Sequence, residues 1–179
     1  KVHAKVALIL RFHKDGRPKK SFAYISTGNF NEKTATVYAD SALFTSNEEL
    51  VEDLSNLFRL LRKEITEPQF KRLWVPRFNL LPELKRRIGL EANMALAGKK
   101  AHIILKMNAL QDPAMIDELY RASEAGVQID LIVRGICCLK PNQPYSKNIR
   151  ITRIVDSFLE HARVWYFHNG GKPLVYMGS

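Results

Sequence analysis

Residues 101–134 read as strand, capped helix and strand, and no other stretch of the chain limits its fold as tightly. AHIILKM is an apolar run of strand length. Asp112-Pro113 opens a helix that runs through Ala125, Gly126 stops it, and VQIDLIVR is a second apolar run. A helix between two strands carries the chain back over the sheet, so the two strands are expected to lie parallel in an α/β sheet. Ligands of open α/β sheets gather at the carboxyl ends of the strands. Lys106 and Asn108 fall at or just past that end of the first strand, and Arg134 at that end of the second. Loop 135–148 leaves from the same edge and is long for a compact domain, which marks it as a working loop.

Upstream, AKVALIL and FAYIS flank a polar turn around Asp15-Gly16 and Pro18, which predicts a hairpin. TATVYADSALF is read as a further strand. Ser46 and Glu49 form a capping box, and behind it Leu50, Val51, Leu54, Leu57, Phe58 and Leu61 recur at helical spacing as a core stripe. Pro68 and Pro76 bracket a linker, QFKRLWVPRFN, with a domain boundary placed at 72/73 and Trp74 expected to pack it. A second helix is expected from Leu81 to Ala97, stopped at Gly98. Lys85, Arg86 and Arg87 read as its solvated face.

The chain has 179 residues, enough to bury a core, and no apolar run approaches the roughly 20 residues that span a bilayer. His3 and Lys5 interrupt the first apolar stretch and no small-residue cleavage site follows, so it is not a signal peptide and the chain reads as soluble. Without an initiator Met, and ending on VYMGS, both ends look like cuts through a longer protein. A net charge of +10 makes polyanions the natural partners, the alternative being a basic solvated surface. Cys137 and Cys138 are adjacent, which suits neither zinc nor a redox pair, and they are expected to be buried, reduced packing thiols.

Two stretches repeat a pattern. VHAKVALIL is followed by a turn and FAYISTGN; EHARVWYF is followed by HNGGKP and LVYMGS. Each holds His, a spacer, a basic residue, an apolar strand, a turn and a second strand ending in Gly with Ser, Thr or Asn. Read as an internal repeat, each copy supplies half of an active site; the alternative is two unrelated hairpins. Residues i and i+2 of a strand share a face, so His3 and Lys5 project together. A neutral imidazole is a nucleophile for phosphorus, and the adjacent cation offsets charge on the non-bridging oxygens. At an ordinary pKa of about 6.5, roughly three quarters of such a histidine is neutral at pH 7. His161 and Arg163 form the second pair, and backbone N–H groups of STGN and MGS are candidates for binding oxygens. His13 and His168 lie in turn-like surroundings and are expected to be exposed, and His102 is read as structural.

This pattern resembles the phospholipase D superfamily, whose two H-x-K motifs meet at a pseudo-twofold interface. The hydrolases of that superfamily carry Asp five residues after the motif Lys; here that position is Leu10, and Arg163 replaces the second Lys. The strings VHAKVALI, STGNFNEKTATVYADSALFT, ILKMNALQD, LIVRGICCL and IVDSFLEHARVWYFHNGG resemble the catalytic region of bacterial polyphosphate kinase, in that family's order, from His3 to Ser179. The resemblance implies an α/β fold of two phospholipase D-like halves related by a pseudo-twofold axis, with residues 1–72 and 73–179 as truncated parts of each. It implies reversible transfer of the ATP γ-phosphoryl group to polyphosphate through a phosphohistidine. His3 matches the phosphorylated histidine, and Tyr38 and Arg134 match positions that contact ATP. His161 matches a second active-site histidine that contacts ATP and helps protonate the leaving group. Lys5, Asn29, Lys106 and Arg163 are read as further phosphate contacts. The family uses Mg²⁺, with ligands expected mainly before VHAK, so the fragment alone is expected to be inactive or poorly folded. ATP, ADP and polyphosphate are the implied partners, with no nucleic acid. A cytoplasmic homo-oligomer, loosely attached to the inner membrane, is also implied. A phospholipase D-like phosphodiesterase or nuclease, and a catalytically silent polyanion-binding module, are the alternative functions.

Overall fold

The computed structural model describes residues 3–179; Val2, which opens the VHAK string, lies outside the described residues. In chain order the elements are β1 (Lys5–Phe12), β2 (Pro18–Ser26), α1 (Glu32–Ala35), β3 (Ala42–Thr45), α2 (Glu48–Leu61), α3 (Leu80–Leu96), β4 (His102–Met107), α4 (Pro113–Glu124), β5 (Gln128–Val133), β6 (Ile149–Thr152), β7 (Arg163–Phe167) and β8 (Leu174–Gly178). They form a mixed α/β structure with two sheets, one ordered β1-β2-β3 and the other β6-β5-β4-β7-β8.

The first sheet is antiparallel and grows from the expected hairpin. Its turn closes on a 2.8 Å bond from His13 N–H to Arg17 C=O, with Gly16 at φ +81° where a side chain would be strained. The segment read as one strand, TATVYADSALF, joins the sheet only from Ala42 onward, in the strand Ala42–Thr45. Asn31 accepts a bond from Thr34 N–H at 3.1 Å and turns residues 32–35 into helix instead. The cap of α2 is Asn47, one residue later than the expected Ser46: its Oδ1 accepts from Leu50 N–H at 3.1 Å. The apolar stripe of α2, which packs on β1 and β2, buries only Leu54 fully and leaves Leu61 exposed.

Asp53 does on α2 what no apolar residue can. It is buried, and its carboxylate accepts from the N–H groups of Lys71 (2.9 Å), Arg72 (2.6 Å) and Leu73 (2.8 Å). The linker is thereby fastened to the first half. Asn79 fastens its other end, accepting from Val75 N–H and donating to Leu73 C=O, both at 2.8 Å. Trp74 then stacks on Tyr176 at 3.8 Å, so the linker is packed rather than free.

In the second sheet β4, β5 and β6 are parallel, and β7 and β8 add as an antiparallel hairpin beside β4. Asp112 caps α4 through Met115 N–H at 2.8 Å, Pro113 occupies its first turn, and Gly126 ends it at φ +103°. Ile103, Leu105, Leu119, Ile129, Leu131 and Phe167, each no more than 1% exposed, form the centre of the core beneath α3 and α4. Buried Glu91 of α3 accepts from the N–H groups of His102 and Asn169, tying the helix to β4 and to the β7–β8 turn. His102 in turn meets Asp130 at 2.8 Å, and Asp130 meets Arg150 at 2.7 Å, across three neighbouring strands.

Three surface expectations need correction. Cys138 is exposed and Cys137 only half-buried, because the segment is bound edgewise to Leu110 and cannot turn both side chains inward. His168 is half-buried beside Tyr166, and Arg87 is half-buried with its Nε enclosed, since α3 lies in a crowded layer. No helix among the described residues is long and apolar enough to cross a membrane.

Asp53→Ala leaves three linker N–H groups without an acceptor. It is expected to cost roughly 3 kcal/mol, read as a lower urea midpoint in the fluorescence of Trp74 and Trp165. Glu52→Ala, which removes only an exposed pair with Lys71, should stay within about 0.5 kcal/mol.

Candidate active site

The carboxyl edge of β4 and β5 faces the beginning of β1, and a backbone bridge holds the two together. Leu159 N–H donates to Val37 C=O at 2.7 Å, and Ala39 N–H donates to Leu159 C=O at 3.2 Å. This bridge brings Tyr38 from the first half against His161 from the second, with ring centroids 5.6 Å apart and nearly perpendicular. His3, just before β1 and exposed, presents its ring 6.4 Å from that of His161 at 90°. The two histidines predicted from the repeat therefore meet.

Lys5 opens β1 and is buried, and its Nζ donates to Ser179 Oγ at 2.8 Å, a second tie between the halves. Burial, and after it Arg163, lowers the Lys5 pKa, while Asp40 pulls it up. Asp40 comes close to Gly28: a Cβ there would run into the Asp40 carboxyl group, so glycine is required on steric grounds. The STGN amides are not all free to bind a ligand. Thr27 N–H donates to Ser41 C=O at 2.9 Å and Gly28 N–H to Ser26 Oγ at 2.9 Å. Asn29 is exposed in the same turn, and its side chain makes no hydrogen bond among the described residues.

Arg163 is half-buried and donates to His161 C=O at 3.1 Å. Arg134 follows β5, its N–H bonded to Met107 C=O, and its Nη1 is buried without a partner among the described residues. An enclosed guanidinium nitrogen with nothing to donate to leaves one strong donor free for an incoming acceptor. Lys106 has different employment. Its Nζ lies 2.9 Å from Glu160 Oε2 and 3.0 Å from Ala162 C=O, holding the segment that carries His161. Among the residues that sequence reasoning did not assign to the site, Asn108 has its Nδ2 3.3 Å from His161 Nδ1. Glu160 and Asp40 also went unassigned, and Ser179 was expected only through the backbone of MGS; the glycine of TGN was the one local sign that something close packs there.

Burial pushes the His161 pKa down to about 4, helped by Arg163, Arg134, Lys5 and His3 in that order. At pH 7 the ring is neutral, so it carries one N–H and one lone pair. It gains a second proton only as pH falls toward 4. Burial and then Arg134 also lower the pKa of Arg163. The site is a small region of positive potential around two imidazoles.

The model of the family "Polyphosphate kinase C-terminal domain 2" matches residues 73–179, and that of "Polyphosphate kinase C-terminal domain 1" matches residues 1–67. This chain belongs to the polyphosphate kinase family. It is 42% identical over 180 residues to the polyphosphate kinase of Staphylococcus haemolyticus, covering 100% of this chain and 25% of that protein. It is 44% identical over 182 residues to that of Paraburkholderia phytofirmans, covering 100% of this chain and 26% of the relative. The crystal structure of polyphosphate kinase from Porphyromonas gingivalis superposes with a TM-score of 0.90 at 52% identity, over 99% of this chain and 29% of that one. The chain thus spans about a quarter of the length of these relatives.

Protonating His161 is favoured in the unfolded chain, where its pKa is near 6.5, over the folded one at about 4. Its contribution to stability is therefore complete above about pH 6.5 and is lost as pH falls toward 4. In selectively ¹⁵N-histidine-labelled protein, His161 should titrate near 4, and Arg163→Gln should raise its midpoint by removing the strongest charged neighbour. An unshifted wild-type midpoint would contradict the crowded, buried ring.

Proposed function

We propose that the protein to which this chain belongs is an ATP:polyphosphate phosphotransferase working through a phosphohistidine at His3. The observation that carries this reading is the meeting of His3 and His161, 6.4 Å apart, among Lys5, Arg134 and Arg163. A neutral His3 nitrogen attacks the γ-phosphorus. The N–P bond forms as the bond to the ADP oxygen breaks, and that oxygen takes the electron pair. A terminal oxygen of polyphosphate then attacks the phosphohistidine, the N–P bond breaks, and His3 is restored; run backwards, the same steps make ATP. Phosphoryl transfer asks mainly for positioning and electrostatic stabilisation, which a cluster of partly buried cations provides. Arg134, with its unpartnered Nη1, binds nucleotide phosphate, and Tyr38 contacts ATP beside His161. Arg163, Lys5 and Asn29 contribute further contacts to phosphate. Lys106 acts chiefly through the segment it holds. His161 contacts the transferred phosphate and helps the leaving oxygen, as a hydrogen-bond donor while neutral.

Residues 1–72 and 73–179 are read as partial halves related by a pseudo-twofold axis. In support, β1–β2 and β7–β8 are both antiparallel hairpins, each entered through a His-x-basic motif. Leu10 is half-exposed on β1, so the aspartate of the hydrolase motif has no counterpart in the site, which favours the kinase over a phosphodiesterase. Among the described residues no group of three His, Cys, Asp or Glu side chains is placed to hold a metal ion. The described residues thus do not by themselves build a Mg²⁺ site, and ligands for the ion are expected mainly from segments before VHAK. Homo-oligomeric assembly, and a cytoplasmic location with loose attachment to the inner membrane, rest on family membership.

The test is labelling of the full-length protein by γ-labelled ATP and Mg²⁺. Acid-labile, base-stable label is expected on wild type and none on His3→Ala; label that persists in the variant would remove His3 from its role. Arg134→Ala should raise the KM for ATP roughly tenfold or more, the loss expected for one charge-assisted bond.

A further inference from the structure

A neutral histidine has two tautomers, and the one present is set by what its other nitrogen bonds to. Asn108 stands one step past the last register pair of β4 and β5, Met107–Val133, and therefore beside Arg134. Its backbone is fixed there: Gly135 N–H donates to Asn108 C=O at 2.7 Å, and a Cβ on Gly135 would stand 2.9 Å from that oxygen. From this anchored position the amide Nδ2 reaches His161 Nδ1 at 3.3 Å, while the enclosed Oδ1 has no partner among the described residues. The charged and titratable groups about the ring are His3 and Lys5 from the first strand, Tyr38 from the bridging loop, Arg134 after β5, and Glu160 and Arg163 beside His161 itself. Three of these, Lys5, Arg134 and Arg163, are cations, and the carboxylate of Glu160 is paired with Lys106. In the orientation the structure shows, the NH₂ group faces the imidazole and the oxygen is left unpaired, so Nδ1 is the nitrogen that offers a lone pair.

We propose that Asn108 is a positioning residue that holds His161 in the tautomer with its proton on Nε2, presenting that N–H to the phosphoryl group exchanged with His3. An Asn N–H donating to Nδ1 makes Nδ1 the lone-pair nitrogen. The remaining nitrogen, Nε2, has no hydrogen-bond partner among the described residues and is left to act on the substrate. In this form a neutral ring donates a hydrogen bond to developing charge without adding a cation to an already crowded site. Lys106 supports the arrangement from the same strand by holding Glu160 and Ala162 on either side of the histidine.

The inference rests on the phosphotransferase reading, and its test separates the two. In full-length protein, single-turnover labelling of His3 is followed at saturating ATP for wild type, Asn108→Asp and Asn108→Leu. The Asp variant is nearly isosteric, but its carboxylate accepts from Nδ1–H and so strips the proton from Nε2. Labelling at pH 8 should slow roughly tenfold to hundredfold, the effect of losing one oriented donor. The Asp carboxylate also favours the doubly protonated ring, which regains Nε2–H. The deficit of Asn108→Asp relative to wild type should therefore shrink as pH falls from about 8 to about 6. Asn108→Leu selects neither tautomer, and should show a smaller deficit that does not change with pH. Equal, pH-independent deficits in both variants would mean a purely structural role and overturn the proposal, as would wild-type rates in both. The ¹⁵N shifts of His161 report the tautomer without any activity: a bare Nδ1 and protonated Nε2 support the proposal, and the reverse pattern overturns it even if wild type takes up no label.

Discussion

Two short backbone bonds between Leu159 and the pair Val37 and Ala39 join a three-stranded antiparallel sheet to a five-stranded mixed one. Backbone groups that pair across this junction are as specific in geometry as any sheet ladder, yet they occur here as a single bridge. The junction fixes Tyr38 against His161, and the Lys5–Ser179 bond adds a second tie nearby. With both in place His3 has one ring to face. Without them the two hairpins would each carry half of a site and neither would carry a whole one.

The arrangement concentrates like charge. Lys5 and Arg163 are both brought partly out of water near one another and near Arg134, and both are shifted toward their neutral forms. A fold does not assemble such a cluster for stability, since desolvated like charges oppose it. In the proposed function a polyanion supplies the missing counter-charge. Asp53 and Glu91 hold the scaffold away from that cluster. Each is a buried carboxylate that accepts only backbone N–H groups, and each locks a connection between elements, the linker in one case and the β7–β8 turn in the other.

Much of the second half was legible because its signals are local. Asp112-Pro113, Gly126 and the two apolar runs each act within a few residues, and the parallel pairing follows from chain geometry. The first half was harder. TATVYADSALF has strand-like composition, but Asn31 diverts its beginning into a helical turn and only Ala42–Thr45 reaches a partner strand. Ser46 and Asn47 are both good capping residues, and only the chain direction entering α2 chose between them. Lys106 looked like a phosphate ligand because it sits at the right edge of the sheet; its commitment to Glu160 depends on a segment more than fifty positions away, which no local pattern reports. The thiol of Cys138 failed to be buried for a comparable reason, the edgewise pairing of its segment with Leu110.

By itself the sequence determined the chemistry available: two His-x-basic hairpins, a βαβ unit with polar residues at its carboxyl edge, and enough excess positive charge to attract a polyanion. These depend on side-chain identity and on spacing within single elements, where periodicity and capping act over one or two turns. Only the tertiary structure decided which groups work together. Lys5 and Ser179 are 174 positions apart, and His161 draws its neighbours from four separate segments. Whether a cation is free or already paired, and whether a histidine is neutral at pH 7, follows from burial and from distances between those segments. Such quantities exist only once the chain has folded.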